Sequence, residues 1–330
     1  MTWQIIGHDW AVELLSRGLA AKRLAHAYLF SGAPHIGKTR LALALAQAVN
    51  CPHSDPPCGR CPSCRKIDQG SHPDVHLIEG AGAGGGFKIE QIRALQHEAI
   101  LAPYEGVYRV LVLHRIDRAS QEAANSLLKT LEEPPPKVVL ALTAVDIDTL
   151  PPTVVSRCQR VDLRPVALTT IEAALVARGL SEEKARLLAH LSGGRVGWAL
   201  TASHDETSLP LRQDRLDQLH GLLSADRVAR FDFAYRASRD PGTVGNLLEQ
   251  WTVWWRDVLH VCLQEEGYVV NIDHLDRLRA LARQAALDES FAVLQALQAT
   301  AGQLEANVNP RLALEGLMLK LPFSGAAAGS

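Results

Sequence analysis

The chain carries almost no net charge: 34 Lys and Arg stand against 36 Asp and Glu, a formal charge of −2 at pH 7. Such a balance argues against a protein that coats nucleic acid over its whole surface, while leaving room for a local basic patch. No apolar run approaches the ~18 residues needed to span a bilayer. The opening, Met1 to Leu15, has no basic-then-apolar layout of a secretory leader. A soluble cytoplasmic protein with no membrane partner is expected. Cysteine is scarce, with six in 330 residues, and four of the six fall within one stretch of fourteen. That clustering excludes a disulfide framework spread along the chain and points to metal binding in a reducing compartment. Apolar residues make up 47% of the chain, enough for a sizeable core, and the length suits two or three domains.

The strongest positive signal lies near the N-terminus. Residues 32–39 read Gly-Ala-Pro-His-Ile-Gly-Lys-Thr, a full G-x-x-x-x-G-K-T. An apolar run of strand length, His26 to Phe30, precedes it. Leu41 to Val49 follows at helical spacing. Strand, glycine loop and helix form the context in which this motif holds phosphates. Gly32 and Gly37 let backbone N–H groups turn inward, and the helix N-terminus adds partial positive charge. Lys38 would reach the outer phosphates, and Thr39 would ligate Mg²⁺. The plain alternative is a strand-to-helix turn that happens to carry Gly and Lys, and a match at all four specified positions of the eight-residue motif, in context, weighs against it.

Cys51, Cys58, Cys61 and Cys64 are spaced C-x6-C-x2-C-x2-C among Pro, Gly and Ser. Four thiolates gathered so closely suit a closed, tetrahedral, structural Zn²⁺ site. An iron–sulfur cluster is the chemical rival, although the downstream Cys-Pro ligand usual there is absent. His53 or His72 could replace one thiolate, but the four cysteines suffice. The glycine run from Gly80 to Gly86 reads as a flexible loop.

Further on, the pattern predicts a helix over Lys88 to Ile100, a buried strand over Val110 to Leu113, and a helix over Ala119 to Leu131 stopped by prolines. A strand over Val138 to Thr143 and a strand-like segment over Val154 to Val161 follow. Strands alternating with helices predict an α/β fold, a parallel sheet with helices on both faces. A nucleotide hydrolase of this kind needs an Asp-Glu pair at the end of an apolar strand, one to hold Mg²⁺ and one to position water. Here Val110 to Leu113 ends in His114-Arg115, and the nearest carboxylate is Asp117. The phosphate loop is intact and the hydrolytic half is missing. Arg157, between Ser156 and Cys158, is placed to act on a neighbour's γ-phosphate if it lies at a subunit boundary, and a surface ion pair is its plain alternative. Helices are expected over Thr169 to Arg178 and Ser181 to Leu191, a polar boundary over Ser203 to Pro210, and helices from Leu211 onward. Trp251, Trp254 and Trp255 share one helix face and read as core or interface rather than as a platform for bases.

These residues together resemble the delta-prime subunits of the bacterial DNA polymerase III clamp loader, in the AAA+ superfamily. The likeness is carried by Ile6-Gly7-His8 with His26 to Phe30, by the phosphate loop and the four-cysteine insert behind its helix, by Asn125 to Pro135, by Ser156-Arg157-Cys158, and by Asn309 to Leu321. It spans nearly the whole chain. The resemblance implies an AAA+ core with a zinc module over residues 1–165, a small helical lid over 166–207 and an all-α collar over 208–322, while the composition of 323–330 predicts a disordered tail. It implies a hetero-pentamer with gamma/tau and delta types that loads the sliding clamp on primed DNA. It implies that Arg157 is an arginine finger for the adjacent motor subunit. ATP or ADP would be bound without hydrolysis. The rival is the ATP-hydrolysing gamma/tau motor, which would carry Asp-Glu in place of His114-Arg115 and a lid arginine near Gly197.

Overall fold

The computed structural model describes residues 3–81, 85–306 and 308–322. The tail 323–330 and residues 82–84 of the glycine run lie outside it. The described residues form two compact units, one within residues 3–179 and 194–199, the other within 180–193 and 200–322.

The first unit is an α/β layer structure. Its strands are β1 (Ala27–Ser31), β2 (Val75–Glu79), β3 (Arg109–His114), β4 (Val138–Ala144) and β5 (Gln159–Asp162). All pairings are parallel, in the order β2-β3-β4-β1-β5. The period-two alternation of the central strands splits their side chains between two cores. Tyr28, Phe30, Val110, Val112, Val139 and Ala141 face one core, together with residues of α1 (Asp9–Ala20) and α2 (Lys38–Asn50). Leu29, Leu111, Leu113, Leu140 and Leu142 face the other, with α4 (Ile89–Ile100) and α5 (Gln121–Glu132). A strand covered on both faces reads as an unbroken apolar run, which is why β1, β3 and β4 stand out in the sequence. The parallel sheet with helices on both faces is as expected.

Three differences from the expected elements have local causes. β2 has no signal of its own, because its edge position leaves only Val75 buried and lets His76, Leu77, Ile78 and Glu79 meet solvent in part. Short α3 (Pro62–Asp68) sits inside the cysteine stretch, with Cys61 as its N-cap and Pro62 at its first position. The segment 154–161 is not one strand. A helical turn, α6 (Pro152–Val155), comes first, and Arg157 lies in the bend before β5 begins at Gln159. Arg157 therefore precedes a strand rather than lying within one. α7 (Leu168–Val176) completes this part of the chain.

The second unit is helical. α8 (Glu182–Ser192) opens on a Ser181 side chain that accepts from the Lys184 amide and closes on Gly193 at φ 56°. α9 (Val196–His204), absent from the sequence reading, begins within residues 194–199 of the first unit and runs into the expected polar boundary, and α10 (Ser208–Ser224) begins almost at once. α11 (Arg227–Ala237), α12 (Pro241–Cys262), α13 (Leu275–Gln284), α14 (Leu287–Glu305) and α15 (Pro310–Met318) follow. α12 packs against α10, α11, α13 and α14. Its Trp251, Trp254 and Trp255 are wholly buried and form the centre of this core. Arg230 is buried as well, and its guanidinium donates to the carbonyls of Leu222, Leu223, Met318, Leu321 and Pro322. The cation thus receives the negative ends of α10 and α15.

Candidate functional site

The loop between β1 and α2 folds as its glycines dictate. Gly32 has φ 137°, and a Cβ there would lie 2.5 Å from the Leu163 carbonyl oxygen. Gly37 has φ 112° and serves as N-cap of α2. His8, from the N-terminal segment, donates from Nε2 to the Ile36 carbonyl at 3.0 Å and braces the loop from outside. On the other side, the Gly197 amide donates to the His35 carbonyl at 2.8 Å. A Cβ at Gly197 would stand 2.7 Å from that oxygen. Backbone, rather than an arginine side chain, therefore covers the loop at this point.

Lys38 is 5% exposed. Its ammonium donates to the carbonyls of Gly32 at 2.6 Å and Ala33 at 2.7 Å. Burial, and then the Arg115 cation, bring it down to about 8 against the opposing pull of Asp117. Thr39 Oγ1 lies 3.1 Å from Nδ1 of His114, at the end of β3. Burial lowers the His114 imidazole below its ordinary range, Glu79 opposes, and Arg115 and Lys38 reinforce the shift. The side chain beside Thr39 is thus a neutral ring at pH 7. Arg115 has φ 60° and donates its amide to Thr143 Oγ1 at 3.0 Å. Its guanidinium clasps Asp117 through Nε at 3.1 and 3.2 Å and Nη2 at 3.0 Å. The carboxylate nearest to the place of the missing acidic pair is thus already engaged by its neighbour. Lys38, Thr39, His114 and Arg115 all border one cavity of about 280 Å³ at the mouth of the loop.

The four predicted thiols come together at the opposite end of α2. Cys51 is its C-cap, and Cys51, Cys58, Cys61 and Cys64 bring their Sγ atoms within 4.8 Å of one another. Cys51 and Cys61 Sγ are 4.0 Å apart, close to the roughly 3.8 Å of two ligands on a tetrahedral ion with 2.3 Å bonds. Backbone amides point at the sulfurs: Cys61 N–H donates to Cys58 Sγ at 3.3 Å, and Cys64 N–H to Cys61 Sγ at 3.4 Å. The Arg60 amide leads in bringing the Cys58 thiol down to about 6. This donor set fits one soft or borderline ion. His72 is engaged elsewhere: Nδ1 accepts the Asp74 amide at 3.1 Å, so Nε2 carries the proton and donates to Ser63 Oγ at 3.2 Å.

Beside the thiols, sequence reasoning passed over Asp74. It is fully buried and accepts from the amides of Tyr104, Glu105 and Gly106 at 2.6–2.8 Å and from Arg109 at 3.3 Å. Nothing in a single Asp before a weak strand signals that role. Arg157 lies apart from both sites. Its guanidinium is 2.7 Å from Glu132 Oε1, at the end of α5, and donates to the Thr153 carbonyl at 2.9 Å.

A parallel sheet in the order β2-β3-β4-β1-β5, with a glycine loop at the end of β1 and helices on both faces, has the core of a P-loop protein of the AAA+ class, and the four thiols are an insertion behind α2. Residues 7–167 match the family model described as DNA polymerase III, delta subunit. The chain is 30% identical to the DNA polymerase III subunit delta' of Bacillus subtilis over 321 residues, 94% of each. It thus belongs to the family of DNA polymerase III delta-prime subunits. The tau subunit of Bacillus subtilis is 37% identical over 169 residues, 51% of this chain and 30% of that one. In structure, a gamma subunit-related DNA polymerase III protein of Thermotoga maritima aligns over 93% of this chain and 97% of its own, with a TM-score of 0.51 at 18% identity. That likeness concerns fold alone.

Proposed function

We propose that this chain is a non-hydrolysing delta-prime-type subunit of the DNA polymerase III clamp loader. It works in the cytoplasm within a hetero-pentamer of gamma/tau- and delta-type subunits that loads the sliding clamp on primed DNA. The observation that carries this reading is the pairing of an intact phosphate loop with His114-Arg115 where a hydrolase has its acids. The loop would hold ATP or ADP through Gly32, Gly37, Lys38 and Thr39 without turnover. Cys51, Cys58, Cys61 and Cys64 would hold structural Zn²⁺, which ties the ends of the 51–64 segment into one module. The lid over 166–207 and the collar over 208–322 are part of the same reading.

Arg157 supplies the chemistry, in trans. An arginine brought to a neighbour's γ-phosphate neutralises charge as it develops on the transferred group, an effect worth roughly 10³–10⁵ in turnover. Its present partners, an exposed carboxylate and one carbonyl, are the surface pair of the plain alternative; held this weakly, they are compatible with exchange for a phosphate. The gamma/tau-type motor reading is disfavoured by the locking of Asp117 to Arg115 and by the seat of Gly197 on the loop. The test is clamp-stimulated ATP turnover by the reconstituted complex carrying Arg157→Ala. A fall of two or more orders of magnitude at one site is expected. Full turnover and full clamp loading would remove the finger from the account.

A further inference from the structure

The fold class brings magnesium to the nucleotide phosphates, and the residues here do not suit that ion. Mg²⁺ demands hard oxygen ligands in near-octahedral array, commonly one or two carboxylates beside phosphate and water. The group that meets Thr39 Oγ1 is the imidazole of His114, at 3.1 Å. A ring nitrogen suits zinc, copper or iron far better than magnesium. Asp117 gives both carboxylate oxygens to Arg115, and its side chain is 5% exposed. Glu79 is the register partner of His114 on β2 but does not line the cavity. Among the described residues, the lining holds Lys38, Arg40 and Arg115, and no carboxylate. Arg40 is paired outward with Asp68. Lys38 remains to face whatever enters, with the Arg115–Asp117 ion pair at its side.

We propose that the loop binds a nucleoside di- or triphosphate as the free anion, without magnesium, and that His114 sets this preference. The inference rests on the non-hydrolysing reading and extends it to the form of the ligand. The Lys38 ammonium and the inward-turned amides of the loop neutralise the phosphates in place of the metal. The missing carboxylate leaves a divalent ion with no anchor, and the same cation repels it. The free anion carries more negative charge than its magnesium complex, so it gains more from Lys38. Because metal and nucleotide binding are coupled reciprocally, a site that rejects Mg²⁺ must bind the magnesium complex less tightly than the free anion.

The test is calorimetric titration of the full chain with ADP and with ATP, once in excess Mg²⁺ and once in EDTA. Affinity in EDTA is expected to exceed that in Mg²⁺ by about fivefold or more, at the low end of common couplings. His114→Asp should reverse the order and acquire a tightening by Mg²⁺ of similar size. Mn²⁺ paramagnetic resonance gives a second readout: the wild-type nucleotide complex should leave the ion free, and His114→Asp should bind it. Tighter wild-type binding in Mg²⁺, or no binding in either buffer, would overturn the inference. It would leave the Arg157 experiment untouched, and a silent Arg157→Ala would leave these titrations untouched.

Discussion

At the C-terminal end of α2, four thiols within 4.8 Å form a complete ligand set, supported by backbone amides. At its N-terminal end, the phosphate half of a nucleotide site is whole, while a histidine and an arginine occupy the place of the metal-binding acids. One thirteen-residue helix thus joins four thiols placed to hold an ion to a phosphate loop whose cavity, among the described residues, is lined by no carboxylate. The difference lies in ligand chemistry rather than in geometry. Clustered sulfur donors suit a soft or borderline ion, whereas a lysine and a histidine beside a loop offer Mg²⁺ no hard anionic ligand.

The comparison can be broken at its strong end first. Cys64→Ser should abolish stoichiometric zinc and cause the largest loss of stability. Structural zinc sites contribute an apparent ~10–16 kcal/mol in small domains, so a collapse of cooperative melting of the first unit is expected, read by circular dichroism with elemental analysis alongside. Retention of the wild-type melting curve without metal would show that the cluster is ornamental. Next in size is Asp74→Ala, which strands Arg109 and three amides beside the thiol module. Breaking a buried pair of this kind costs about 3–5 kcal/mol, measurable by urea denaturation.

Asp74 also gives a pH signature. Burial pushes its carboxyl up, but the amides of Tyr104, Gly106 and Glu105 and the Arg109 cation outweigh it, so it lies below its ordinary 3.8. A carboxyl depressed in the folded state contributes stability at pH above 3.8 and loses it as pH falls through the folded value. Asp74→Asn should therefore flatten the acid limb of the stability curve below pH 3.8. An unchanged limb would assign acid sensitivity to other groups.

At the loop end, Gly197→Ala brings a Cβ within 2.7 Å of the His35 carbonyl. A cost of about 1–3 kcal/mol and weaker nucleotide binding are expected, read by melting and titration. Unimpaired binding would mean that the loop yields freely. The smallest effect on stability belongs to Arg157→Ala. Its Glu132 partner is half exposed, and such pairs contribute at most ~1 kcal/mol. Normal melting with lost turnover by the complex would separate function from folding at this position.

Both ends of α2 were legible in the sequence because each is local: eight consecutive residues at one, a run of fourteen at the other. The central strands were legible because burial on two faces leaves an apolar run. β2 was not, since an edge strand with one buried residue looks like a loop. The bend at Arg157 was misread as strand, because Val154 and Val155 are β-branched yet follow two prolines that start a helical turn. Partnerships across the fold left no local trace. Arg157 with Glu132, Asp74 with the 104–106 amides, Gly197 with His35 and Arg230 with two helix ends all join residues that no local pattern links. The absence of the acidic pair was visible in sequence, but the capture of Asp117 by Arg115 needed coordinates.

The central claim is that the chain holds nucleotide and does not hydrolyse it. Its most direct test is ATP binding and turnover by the purified chain in the presence of Mg²⁺. Binding without turnover is predicted. Turnover that Lys38→Ala abolishes would contradict the account and make this chain a motor in its own right.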